Sequence, residues 1–326
     1  MDEPIPFGRY LLGDRIAVGG MAEVFTAVPR DGPARLLAVK RILPTLAEDR
    51  QLVGMFLDEA RIAAQLRHPG IAAIHDLGRY GDAYFIAMDY VAGATLRALL
   101  DRLRAAGERL PVGISVEVAH RVADALDYAH RERDARGRPL RLVHRDVSPA
   151  NVLLGFDGAV HLIDFGIAQA AISTRAPDAV LRGKFGYMSP EQVRGLPVDR
   201  RADVFSLGVV LHEMLAGERL FSGPSELAVL EKVRSADVGP PSERNPAVPS
   251  ALDAVVLRAL AREAEDRFPW AGELRDALAA WLPPEPAPGR PSPLARLLAA
   301  HFGEEIRREG ARAERLGLRP APGSGR

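Results

Sequence analysis

The sequence predicts an α+β chain: a small, mainly β N-terminal part that carries one helix, followed by a larger, mainly α part. Three observations carry this reading. Between residues 10 and 88, short runs rich in Val, Ile, Phe and Tyr alternate with turns containing Gly or Pro, the pattern of strands. Inside that region Gln51 to Gln65 instead repeats Phe56, Leu57, Ala60 and Ala64 at helical spacing. After Gly93 the helical period takes over.

In order, Tyr10-Leu11-Leu12 and then Ile16-Ala17-Val18 read as a strand entering a turn at Gly19-Gly20, with Glu23 to Val28 returning. Leu36 to Lys40 is an apolar strand that ends in a cation. His68-Pro69-Gly70 closes the helix, and Ile71 to Leu77 and Ala83 to Met88 are two further strands. Helical patterns follow at Thr95 to Arg104, Val116 to Arg131, Asp199 to Gly217, Leu252 to Arg262 and Trp270 to Trp281. Between the second and third of these, Val152-Leu153-Leu154 and Val160-His161-Leu162-Ile163 read as short strands.

Composition excludes several classes of function. Lys+Arg and Asp+Glu are both 43, so net charge gives no reason to expect a nucleic-acid or membrane partner. Cysteine is absent, which rules out disulfides, thiolate metal sites and cysteine nucleophiles and fits a reducing cytoplasm. The start, Met1-Asp2-Glu3-Pro4, has no apolar signal core, and no run of apolar residues reaches membrane-spanning length. The expected localisation is cytoplasmic. Four histidines, His120, His130, His144 and His161, have no metal-site spacing and read as structural. Arginine supplies nearly all the positive charge, the only lysines being Lys40, Lys184 and Lys232.

The chemistry concentrates in His144 to Asn151 and Asp164 to Gly166. Asp146 precedes a turn, Asn151 follows five residues on, and Asp164 comes just before a glycine. Phosphoryl transfer needs such a set: one carboxylate to orient and deprotonate an attacking hydroxyl, and an amide with a second carboxylate to hold Mg²⁺ against phosphates.

These residues resemble the H-R-D-x-x-x-x-N catalytic loop and D-F-G motif of protein kinases, and the chain looks like a bacterial member of the eukaryotic-type (Hanks-type) serine/threonine kinases. The resemblance covers about residues 10 to 282. It implies the two-lobed protein kinase fold: a small, mainly β N-lobe with helix C at 1–91 and a larger, mainly α C-lobe at 92–282. Residues 283–326 form a Pro-rich linker and an amphipathic tail, in which Leu294, Leu297, Leu298, Phe302 and Ile306 predict one helix packed back on the kinase. Docking of a partner or autoregulatory docking through the tail is the alternative.

By the same resemblance, Asp146 orients the substrate hydroxyl, Asn151 and Asp164 hold Mg²⁺, and Lys40 with Glu59, Asp58 being the alternative partner, positions the ATP phosphates. Ala17, Val18, Gly19, Gly20, Val24, Ala38, Met88, Asp89, Val91 and Leu153 surround the nucleotide, with adenine bonded to main chain near Asp89 and Val91. Only the middle glycine of the family's G-x-G-x-x-G-x-V loop is kept, as Gly19, with alanines at 17 and 22. Asp203 is expected to hold the catalytic loop, and Arg267 to pair with Glu191. Arg145 would meet a phosphate on the segment from Ile167 to Glu191, which offers Ser173 and Thr174.

One departure stands out. Such kinases carry lysine two residues after the catalytic aspartate and threonine in the G-T-x-x-Y-M-A-P-E stretch. Here the first position is Ser148, and the stretch reads Gly183-Lys184-Phe185-Gly186-Tyr187-Met188-Ser189-Pro190-Glu191. Lysine and hydroxyl have exchanged sides, so the reading is that Lys184 supplies the relocated charge.

The implied function is transfer of the ATP γ-phosphate to protein Ser/Thr hydroxyls, with autophosphorylation, in bacterial signalling. Two alternatives are an ATP-binding pseudokinase scaffold, motivated by the altered glycine loop and Ser148, and a small-molecule kinase of related fold. The last lacks the Pro-Glu segment ending that Ser189-Pro190-Glu191 supplies here.

Overall fold

The computed structural model describes residues 4–31, 35–134, 136–165 and 185–315, apart from the side chains of Arg50, Met55, Glu59 and Arg315. The chain divides into two compact units. The first holds residues up to Ala92 together with the stretch from Phe302 onward. The second runs from Gly93 to residue 165 and from 185 to His301.

The first unit is built on a six-stranded antiparallel sheet in the order β1-β2-β3-β4-β6-β5: β1 (Ile5–Phe7), β2 (Tyr10–Val18), β3 (Ala22–Pro29), β4 (Leu37–Ile42), β5 (Ile74–Tyr80) and β6 (Ala83–Asp89). Strand alternation sorts its residues between two faces. Phe25, Ala27, Leu37, Val39, Phe85 and Ala87 join Phe7, Tyr10 and Leu12 in one apolar cluster. Ile42 and Ile86 turn to the other face, against Val53, Phe56 and Ala60 of helix α1 (Arg50–Ala63). Asp49 starts that helix by accepting from the Gln51 and Leu52 N–H groups.

β2 is the single strand that the sequence suggested. Its register against β3 shifts between Leu12 and Arg15 and again between Arg15 and Ala17, so the polar Gly13-Asp14-Arg15 stretch stays in the sheet as a bulged region. Glycine is needed there: a Cβ on Gly13 would lie 2.8 Å from Thr26 Oγ1.

The second unit centres on helix α5 (Arg201–Ala216), whose residues 202–216 are all buried. It packs against α3 (Val112–Arg131), α7 (Ser250–Ala259) and α8 (Ala271–Leu278) and ends at Gly217 with φ 79°. Helices α2 (Leu96–Ala105), α4 (Pro190–Val193) and α6 (Glu226–Ser235) complete it in chain order. β7 (Gly93–Thr95), β8 (Val152–Gly155) and β9 (Val160–Leu162) form a three-stranded antiparallel sheet whose last two strands lie between Asn151 and Asp164 in the chain. Ordinary side chains are excluded at Gly93, where a Cβ would sit 2.1 Å from the Leu154 carbonyl oxygen.

The tail forms two helices where the periodicity suggested one: α9 (Pro293–His301) and α10 (Gly303–Arg315). Leu294 and Leu298 of α9 are fully buried in the second unit, and Arg102 of α2 donates to the His301 carbonyl. α10 belongs to the first unit.

Candidate active site

In the second unit the catalytic loop hangs from one buried carboxylate. Asp203, on the first turn of α5, accepts from the backbone N–H groups of His144 and Arg145, each at 2.8 Å. His130 Nε2 also donates to it at 2.8 Å, and both side chains are essentially unexposed. This arrangement holds Arg145 at φ 66°, a left-handed conformation rare outside glycine. The residue after it is Asp146.

The loop is closed by Asn151, whose Nδ2 donates to the Asp146 carbonyl at 2.8 Å and to its carboxylate at 2.6 Å. β8 begins at the next residue, so the strand fixes Asn151 from one side and the loop from the other. Ile163 then links loop and motif. Its N–H donates to the Asn151 carbonyl at 3.0 Å and its carbonyl accepts from His144 Nε2 at 2.9 Å. With both groups of Ile163 engaged, Asp164 is set at φ 69°, and Phe165 lies with its ring centroid 4.6 Å from that of His144.

His144 is the neutral centre of this web. Nε2 donates to Ile163, Nδ1 accepts from the Asp146 N–H at 3.3 Å, and complete burial lowers the proton affinity of the ring. It packs and bonds, and it is not placed to react.

Below the loop, α4 opens with a capping box between Ser189 and Gln192. Gln192 Nε2 continues to the Arg145 carbonyl at 3.0 Å, a positioning contact that the sequence reading missed although Ser-x-x-Gln before a helix is a legible signal. Glu191 and Arg267 form a two-pronged pair at 2.7 and 2.8 Å. Burial alone would raise the Glu191 pKa; the Arg267 bonds outweigh it and hold the carboxyl below its ordinary value. Ser148 is buried beside Asp146, and its Oγ has no hydrogen-bond partner.

In the first unit, cross-strand register puts the nucleotide-side candidates together. Val24 faces Lys40 across β3–β4, Lys40 faces Ile86, and Ala38 faces Met88 across β4–β6, all on the face that carries α1. Ala17 and Val18 end β2, and the Gly19 N–H donates to the Ala22 carbonyl at 2.8 Å, closing a tight exposed turn through Gly20. Asp89 ends β6. Its N–H donates to the Ala73 carbonyl at 2.9 Å, and its carboxylate accepts from the Ala73 N–H and His75 Nε2. The half-buried Val91 follows, and Leu153 lies in β8 of the second unit.

The Glu59 side chain, Gly166, Ser173, Thr174 and Lys184 lie outside the described residues. Among the described residues no cluster of three or more His, Cys, Asp or Glu side chains could hold a metal, and no helix is long and apolar enough to cross a membrane.

Comparison with known proteins agrees with this geometry. The protein kinase domain family matches residues 10–276. The chain is 42% identical over 308 residues to the tyrosine-protein kinase MasK of Myxococcus xanthus, covering 92% of this chain and 47% of that protein. To the serine/threonine-protein kinase PknB of Mycobacterium tuberculosis it is 40% identical over 275 residues, covering 82% and 42%. It thus spans less than half the length of these relatives. The crystal structure of the Mycobacterium tuberculosis PknI kinase domain superposes with a TM-score of 0.65 at 32% identity, covering 86% of this chain and 99% of that one. A catalytic loop suspended from Asp203, a sheet that carries Lys40 and a family match over most of its length place this chain in the protein kinase domain family.

Proposed function

We propose that this chain is an ATP-dependent protein kinase that phosphorylates Ser and Thr hydroxyls in a cytoplasmic signalling pathway. The observation that carries the proposal is the Asp146–Asn151 pair, anchored through Asp203 and Ile163. Such anchoring would hardly serve a scaffold that performs no chemistry.

In this reading Asn151 fixes the Asp146 carboxylate, which accepts the proton of the incoming hydroxyl. The hydroxyl oxygen bonds to the γ-phosphorus as the bond to the β–γ bridging oxygen breaks, and ADP leaves. Lys40, held by Glu59, sits on the α- and β-phosphates, and the Gly19-Gly20 turn covers them.

The residues fit Mg²⁺, which takes oxygen ligands and is often bound by one or two side chains together with substrate phosphates. Asn151 engages Asp146 through Nδ2, leaving Oδ1 as its ligating atom, and Asp164 offers a carboxylate from a backbone fixed by Ile163. When bound, the ion neutralises phosphate charge.

Serine and threonine are favoured as acceptors by Ser148-Pro149 in the catalytic loop, where tyrosine kinases carry A-A-R or R-A-A, and by similarity to proteins named serine/threonine kinases. A second reading, tyrosine, has its own observation in the similarity to MasK. The test is label transfer from γ-labelled ATP with Mg²⁺ to the protein itself and to a generic basic protein, by wild type and Asp146→Asn, with hydrolysis to identify the labelled amino acid. Phosphoserine or phosphothreonine that vanishes in the variant is expected. Phosphotyrosine alone selects the second reading, and nucleotide binding without transfer selects the scaffold.

A further inference from the structure

The matched kinase domain ends at residue 276, and α10 lies well beyond it. This helix is an unusual thing to find packed on a fold. Of its residues 303–315, only Ile306 is a large apolar side chain, so burial of apolar surface gives it little hold. Phe302 is buried at its start, and toward its far end a polar cluster around Arg312 holds it.

The Arg312 guanidinium donates from Nη1 to the Tyr90 hydroxyl at 2.7 Å and from Nη2 and Nε to Asp14 Oδ2 at 2.8 and 3.2 Å. Nη1 also meets Glu309 of its own helix at 2.5 Å, and the side chain is only 16% exposed. Burial and the neighbouring Glu309 raise the Tyr90 pKa, which keeps the phenol protonated.

The two residues gripped are informative. Tyr90 lies between Asp89 and Val91, the main-chain positions expected to meet adenine. Asp14 lies in the bulged stretch of β2, three residues before Ala17, where the strand runs on into the phosphate-covering turn. Bulged strands are held less firmly by their ladder than regular ones, so an outside grip there has the most to add. One side chain from the tail thus fixes both ends of the nucleotide-binding edge of the first unit.

We propose that Arg312 is a positioning residue for nucleotide binding, with α10 acting as a clamp in cis that holds β2 and the segment around Tyr90 in their binding arrangement. The role rests on the kinase reading above. Because the grip is polar and depends on charge, a charge change on α10 loosens it.

The experiment uses the full chain as wild type, Arg312→Ala and Arg312→Lys. Hydrogen exchange without nucleotide is followed at residues 10–18 and 88–92, together with the Kd for ATP by calorimetry and steady-state KM and kcat. Arg312→Ala should raise exchange in both segments and raise Kd and KM by about three- to tenfold, the range expected for charge-assisted hydrogen bonds that are partly solvent-screened. Its kcat should stay within about twofold, with Arg312→Lys intermediate because an ammonium cannot span both partners. Unchanged exchange and Kd in Arg312→Ala, or a fall in kcat and melting temperature at constant KM, overturns the clamp alone. Failure of wild type to bind any nucleotide overturns the kinase reading and the proposed role together.

Discussion

The Asn151 side-chain amide reaches both the main-chain carbonyl and the carboxylate of Asp146, at 2.8 and 2.6 Å. The residue proposed as a metal ligand therefore also orients the proposed base. Asn151→Ala should lose both functions, lowering kcat by about 10²-fold or more, the usual contribution of a positioned general base. Excess Mg²⁺ should fail to restore it. A kcat recovered by raising Mg²⁺ would mean that Asn151 acts on the ion alone.

Asp203 accepts three hydrogen bonds while fully buried, and an amide in its place has only one acceptor oxygen. Asp203→Asn should lower the unfolding free energy by about 3 kcal/mol, read from urea denaturation, because buried donors lose their partner. In the folded fraction kcat should fall more than KM for ATP, since the loop carrying Asp146 is what loses its anchor.

Ser148 Oγ is buried without a hydrogen-bond partner, two residues after Asp146, where the expected family pattern has lysine. If the charge has moved to Lys184, Ser148→Lys with Lys184→Thr should retain more activity than either single change. A double-mutant cycle on kcat/KM measures this directly, and additive losses would show that the two positions do not cooperate.

His212 predicts a pH dependence of stability. Its Nε2 donates to the Gly239 carbonyl, its Nδ1 is buried without a partner, and burial lowers its pKa from the ordinary 6.5. The unfolded chain therefore binds this proton more readily than the folded one. The stabilisation is complete above pH 6.5 and is lost as pH falls from there toward the lowered value. His144 and His120 shift in the same direction. The urea midpoint should fall between pH 7.5 and 5.5, and less so in His212→Gln. The lowered carboxyls of Glu191, Asp127 and Asp199 titrate below this window.

The contact between Asp146 and Asn151 was legible because the two lie five residues apart in one ordered motif, and the roles proposed for them follow from that motif. The tail was harder. Leu294 to Ile306 keeps one helical period straight across Phe302-Gly303, so nothing in the spacing announces that the helix stops at His301 and that α10 joins the other unit. The start of α3 at Val112, before the expected Val116, was hidden by Gly113, a poor helix former tolerated close to Pro283. The strand at Tyr10 to Val18 was legible, but its register shifts at Gly13-Asp14-Arg15 were not, because sequence alternation does not encode a bulge. His130 is structural, as expected, but its partner Asp203 lies 73 residues away, beyond any local pattern.

Arg145 and Asp164 both hold left-handed backbone angles that a side chain disfavours, at about 1–2 kcal/mol each. The loop is in this sense cocked: Asp203, Asn151 and His144 keep it there against its local preference. The course of the backbone through Asp146 and Asp164 is therefore set by these anchors and not by the preference of the residues themselves.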